Sequence, residues 1–189
     1  MTEERLPPIA PERMDEAQQK VAAAIMAGPR KDLRGPFNAW LRSPELADRL
    51  QRVGEYVRFT NSLPKRLNEM AILITARYWT AQLEWFLHLP MALEAGLDAR
   101  IADAIAAGER PRDMQPDEAA IYDFVTELHR DKNVGEASYR AALDAFGEQG
   151  LVDLVGVAGY YTVVSMTLNV AGVPLPGGLA PPLKPLARA

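Results

Sequence analysis

Three ionisable residues sit inside apolar stretches of this chain. Glu69 lies in Leu67-Asn68-Glu69-Met70-Ala71-Ile72-Leu73-Ile74, and Glu84 and His88 bracket Trp85-Phe86-Leu87. Burying a carboxylate is costly unless it is paired or hydrogen-bonded, so each asks for a partner. Glu84 and His88 are spaced i,i+4, and on a helix such side chains touch. A carboxylate beside an imidazole raises the imidazole's pKa and fixes its tautomer, as general acid/base chemistry requires. In this reading His88 moves the proton, Glu84 orients it and holds its charge, and Glu69 is a second carboxylate that places a proton or a water. The plainer alternative is a pair on a helix surface. Arg77, two turns after Glu69, offers a planar fork to a substrate carboxylate; its plainer role is a structural partner for Glu69. Trp79, Trp85, Phe37 and Asn38 are candidate pocket walls. Core or interface packing is the alternative for the tryptophans, and a loop cap for Phe37 and Asn38. His129 reads as a solvated helix end, and Tyr160-Tyr161 as packing.

These groups converge only if the chain turns. In one straight helix Glu69 would lie about 22 Å from Glu84, at ~1.5 Å per residue. A break is therefore expected around Tyr78-Trp79-Thr80, with Thr80 capping a helix from about 81 to 94. Other helices are read from apolar spacing and punctuation. They run over 15–27, ended by Gly28-Pro29; from Ser43-Pro44-Glu45 to about Ser62; from Ser62-Leu63-Pro64 to the break; over a short stretch from Asp98 to Gly108; and over 117–130, 138–146 and 150–170. No period-two alternation is long enough for a strand. The expectation is an all-α domain of about eight helices over 35–173. An N-terminal arm and helix (1–34) precede it, and a Pro/Gly-rich tail (174–189), extended or partly disordered, follows.

Composition removes several classes of chemistry. The 189 residues contain no cysteine, which excludes disulfides, thiolate nucleophiles and Cys-ligated metals. Lys+Arg 21 against Asp+Glu 25 gives a net charge of −4. The cations are scattered rather than clustered, so no nucleic-acid partner is expected. Two distant histidines supply too few ligands for a closed zinc site, so no metal is expected. No phosphate-cradling loop or dinucleotide fingerprint is present, and no cofactor is expected. The longest apolar run, 151–173, is broken by Asp153, several glycines, Ser165 and Asn169, so no membrane span is expected. The acidic start lacks the apolar region of a signal peptide, and the expected location is the cytoplasm.

The order Glu69, then Ala81-Gln82-Leu83-Glu84, then His88-Leu89-Pro90, followed by Ala92 and Glu94-Ala95-Gly96-Leu97, resembles the carboxymuconolactone decarboxylase and alkylhydroperoxidase D-like superfamily. The resemblance covers roughly 35–175 and is densest over 63–108. Gly35-Pro36-Phe37-Asn38 and the Asn169 to Pro176 stretch also resemble one subgroup. In the peroxidase branch a glutamate, a Cys-x-x-Cys pair and a histidine form the site. Glu69 and His88 match the outer positions, and Ala81 and Glu84 replace the cysteines. Thiol peroxidase chemistry therefore does not carry over. The resemblance instead implies cofactor-independent proton chemistry of the decarboxylase kind: decarboxylation, isomerisation or lactone hydrolysis on a small carboxylated or lactone-like substrate. It also implies a helical homo-oligomer, a trimer or hexamer or a dimer. The rival expectation is a non-catalytic oligomeric module that binds a small molecule on the same fold.

Overall fold

Asp15 accepts a hydrogen bond from the Gln18 amide at 2.8 Å, and the Gln18 side chain accepts one from the Asp15 amide, a reciprocal box that starts the first helix, α1 (Glu16–Ala27). Side-chain bonds of this kind also mark the starts at Asp98 and Gln115, and most of the other starts lack them. The computed structural model describes residues 4–186, and among them lie eight α-helices and no strand. After α1 come α2 (Phe37–Trp40), α3 (Pro44–Glu55), α4 (Lys65–Tyr78), α5 (Gln82–Glu94), α6 (Ala99–Ala107), α7 (Pro116–Asp131) and α8 (Glu136–Ala171). Asp98 caps α6 through the Arg100 amide, and Gly108 closes it in the left-handed region at φ 76°.

Helix α4 is the axis of the fold. Every residue from Leu67 to Arg77 is buried, so the helix is covered on all sides, and α5, α6, α7 and α8 supply the cover. The chain reverses between α4 and α5, as the spacing predicts. Thr80 takes a left-handed φ of 48°, uncommon for a β-branched residue. It does not cap α5: Ala81 occupies that position, and the Thr80 hydroxyl accepts a bond from Arg77 at 3.2 Å. Ser43 likewise sits at the start of α3 without a side-chain cap bond.

Two elements depart from the apolar pattern. The four-residue helix α2 forms where only aromatic and turn residues are legible, because Phe37 and Trp40 bury there edge-to-face. At its end, α3 widens into one π-helical stretch, Tyr56–Thr60. The widening leaves the Val57 carbonyl without its usual partner, and the amides of Asn61 and Asn68 both donate to it.

Helix α8 is interrupted at Gly147, whose φ of 67° and ψ of −179° separate the two helices that the glycine predicts. By length and composition it could cross a membrane, with an 18-residue window of mean hydropathy 1.5; half of that window is buried within the fold. Gly, Ser and Asn interrupt the apolar letters without lowering the average below that threshold. The tail is not loose over its described part. Leu183 is buried, its backbone exchanges two bonds with the Gln82 side chain at 2.9 and 2.8 Å, and the Lys184 carbonyl accepts from Arg77 at 2.9 Å. Residues 187–189 lie outside the described residues. At the other end, the Arg5 amide donates to the Ala171 carbonyl at 2.7 Å, and Arg42 donates to Pro7 at 2.7 Å.

Candidate functional site

The reversal at Thr80 sets α5 against α4 and brings Glu69, Glu84 and His88 together. His88 Nδ1 lies 2.6 Å from Glu69 Oε2, across the helix pair. His88 Nε2 lies 3.3 Å from Glu84 Oε2, one turn back on its own helix. All three are sealed from solvent, with exposures of 3% for His88, 2% for Glu69 and 4% for Glu84. The two contacts are not equivalent. The Glu69 bond is short and well aimed, whereas Glu84 Oε2 is off the N–H direction and has no hydrogen-bond partner. Glu69, rather than Glu84, thus orients the ring.

Electrostatics follow from this placement. Burial alone pushes the His88 pKa down, but the bond to Glu69 and the closeness and negative charge of both carboxylates outweigh it, and the net direction is up. The charged ring is thus favoured relative to a free imidazole, with Glu69 accepting from Nδ1. The ring packs edge-on to Tyr161 at 5.1 Å. Burial and the negative charge of Glu84 hold the Tyr161 phenol well above its ordinary pKa, so it stays protonated. A continuous row of edge-to-face rings runs outward from there: Tyr161 to Tyr160 at 5.3 Å, Tyr160 to Trp40 at 6.1 Å, Trp40 to Phe37 at 5.2 Å.

The remaining sequence candidates fall in different places. Phe37 belongs to the far end of the aromatic row, with the Arg30 guanidinium 4.6 Å above its ring. Asn38 is half-buried beside it, and its carbonyl accepts from Arg42 at 2.9 Å. Trp85 is core. Trp79 is half-buried at the turn, where its carbonyl accepts from Asn169 at 2.8 Å and its indole N–H is unpartnered. Arg77 neither pairs with Glu69 nor reaches the triad. Its guanidinium is spent on the carbonyls of Lys184 and Ala106 and on Thr80, because α4 carries it past the turn to the tail. His129 is not a solvated end: it stacks on Tyr78 at 4.8 Å, its Nε2 lies 3.0 Å from the Thr75 hydroxyl, and burial pushes its pKa down.

Composition and spacing do not single out Arg30 or Arg58. Arg58 comes off the π-helical stretch and donates to Met91 Sδ at 3.4 Å. Arg30 comes from the loop between α1 and α2. Neither lies at a periodic position of a recognisable helix face, and no other signal marks them. The Tyr160-Tyr161 doublet is the one visible cue to this side of the site.

Among the described residues no group of three or more His, Asp or Glu side chains is arranged to hold a metal ion. Two open hollows, of about 580 and 370 Å³, lie elsewhere: one beside α6 and the start of α7, the other between α1 and α3. Neither is lined by Glu69, Glu84 or His88. No protein-family model matches this chain, and no curated protein matches it.

Proposed function

We propose that the chain is a cofactor-independent acid/base enzyme of the carboxymuconolactone decarboxylase kind, acting on a small carboxylated or lactone-like molecule. One observation carries the reading: a buried imidazole gripped at Nδ1 by Glu69, with a second carboxylate, Glu84, left unpartnered beside Nε2. A resident proton donor with one nitrogen anchored and the other loosely held suits proton delivery. In a decarboxylation the bond to the departing carboxylate breaks and carbon dioxide leaves. The electron pair is held in the unsaturated lactone, and His88 Nε2–H protonates the carbon. In an isomerisation Glu84 would take a proton from one carbon and His88 return one to another. Glu69 stabilises the imidazolium before transfer and fixes the ring throughout.

The test is a screen of unsaturated lactone acids for carbon dioxide release or double-bond migration, followed by substitution. His88→Ala is expected to lower turnover of a true substrate ~10²-fold or more. Unchanged turnover would remove His88 from the mechanism.

Closure of the site favours a second reading, a binding module without turnover. His88 is sealed in the single chain and both open hollows lie elsewhere. Tight binding of a small acid, with no product from any compound in the same screen, would decide for it. Self-association is part of either reading, supported by the exposed apolar side chains Val152, Val155, Met166 and Val170 along α8. Sedimentation that returns a monomer at micromolar concentration would remove that part. A cytoplasmic location, with neither membrane nor nucleic acid as partner, completes the proposal.

A further inference from the structure

Buried polar atoms are almost always hydrogen-bonded, so a cluster of orphans points to something that completes them. Three orphans here have complementary chemistry, and two of them meet at one glycine. Tyr160 Oη, on a residue only 5% exposed, has no partner; neither has Arg30 Nη2, nor Glu84 Oε2. They come from three separate elements: α8, the loop between α1 and α2, and α5. The phenol tip and the guanidinium both rest against Gly54 of α3. A Cβ on Gly54 would lie 3.1 Å from Arg30 Nη2 and would overlap the phenol. Absence of a side chain at this position thus lets two donors stand side by side.

We infer that Arg30 and Tyr160 form an anion-binding end of the His88 site, one that receives a carboxylate of the small acid. The reading rests on the acid/base proposal for what happens at the other end of that acid. A planar guanidinium with a free N–H beside a free O–H is a donor pair without an acceptor, and a carboxylate supplies two acceptor oxygens. Among the described residues Arg30 forms no ion pair, and one of its faces lies over the Phe37 ring. Arg58, also without a carboxylate partner, spends one N–H on a thioether, a weak acceptor. Both cations act on Tyr160: burial raises its pKa to about 12, and Arg30 and Arg58 pull against that rise. The phenol is a donor throughout the neutral range. Tyr161 touches both Tyr160 and His88 edge-on, so the two ends of the site share one neighbour. An acid that passes Tyr161 would place its charge on Arg30 and its reacting carbon beside His88 and Glu84. Arg77, whose two terminal nitrogens already donate to carbonyls and to Thr80, does not serve.

The chain has only two histidines, so a protein labelled with ¹⁵N at histidine reports this site cleanly. Acetate is titrated into the full chain, with acetamide as the neutral control of the same shape. Acetate is expected to shift the His88 ring signals saturably, and acetamide to leave them in place. Arg30→Gln should weaken acetate binding ~10-fold or more, since a hydrogen bond to a charged group is lost. Tyr160→Phe, which keeps the ring, should weaken it by a smaller factor, and Arg30→Lys should fall between wild type and Arg30→Gln. Equal acetate affinity in wild type and Arg30→Gln would overturn the inference, as would no acetate binding or equal shifts from acetamide. An Arg30→Gln chain whose His129 signal shows it is not folded leaves the decision to Tyr160→Phe and Arg30→Lys. Unaffected affinity in both would likewise overturn it. Arg30-dependent acetate binding alongside full turnover in His88→Ala would sink the acid/base reading and leave the anion site standing.

Discussion

His88 and His129 share a side chain and differ in everything that sets its charge. His88 faces two carboxylates, which more than offset burial and raise its pKa; His129 faces a hydroxyl and a phenol ring, and burial lowers its pKa. A ¹⁵N titration should show the two diverging from the ordinary 6.5, with the His88 midpoint above it and the His129 midpoint below it. Glu69→Gln should bring the His88 midpoint down, because it removes the best-aimed negative partner; a midpoint unmoved by that substitution would deny Glu69 its orienting role. The linkage to stability has a definite sign. A pKa raised on folding contributes stability that is fully present below the unfolded value and is lost as pH rises through the folded one. Thermal stability of the wild type should therefore decline as pH climbs from about 6.5 past the His88 midpoint, and Glu69→Gln should show a shallower decline. The i,i+4 spacing made the Glu84–His88 contact legible in the sequence. It did not reveal which carboxylate holds the ring, since the Glu69 bond crosses between helices. Arg77 misled for a related reason: helical spacing gives direction around α4 but not the tail carbonyls waiting beyond it.

At the scale of elements, apolar periodicity carried most of the fold, and capping side chains mark the starts of α1, α6 and α7. The π-helical stretch at Tyr56–Thr60 was not legible. The carbonyl it frees is satisfied by two side-chain amides, Asn61 and Asn68, that no local pattern links to it. Helix α2 was missed because four residues have no period. Gly54 marks one close approach of α3 to α8. Gly54 has Tyr160 pressed on it, and a Cβ would lie 2.5 Å from the phenol Cζ. Gly54→Ala gains helix propensity of ~1 kcal/mol. It must also displace a buried ring joined to Trp40 and Tyr161 in the aromatic row, and overpacking of that kind costs ~1–3 kcal/mol. The net expectation is destabilisation, read as a lower midpoint in urea, accompanied by altered near-ultraviolet dichroism from the aromatic row. A more stable Gly54→Ala protein with an unchanged aromatic signal would show that the ring has room to move.

At the scale of the whole molecule, the turn that assembles the site is braced by a segment about a hundred residues away. Gln82, just after the turn, holds the backbone of Leu183 in both directions, and Arg77, just before it, holds the carbonyl of Lys184. Leu183 is buried between them in the core. The tail thus clamps both sides of Trp79-Thr80, a reversal that contains an unfavourable left-handed threonine and needs support from elsewhere. Proline and glycine in the tail read as looseness in the sequence, since composition says nothing about a distant glutamine. Gln82→Ala removes two hydrogen bonds, each with a net value of about 1 kcal/mol. The Leu183 amide should then exchange with solvent about tenfold faster or more, while the α7 amides keep their protection. Because the same clamp fixes α5 against α4, the Glu69–His88 bond should also loosen, and the His88 midpoint should drop toward its ordinary value. Faster exchange at Leu183 with an unmoved His88 titration would mean that the tail is merely tied down there, and that helix packing alone holds the two carboxylates and the imidazole together.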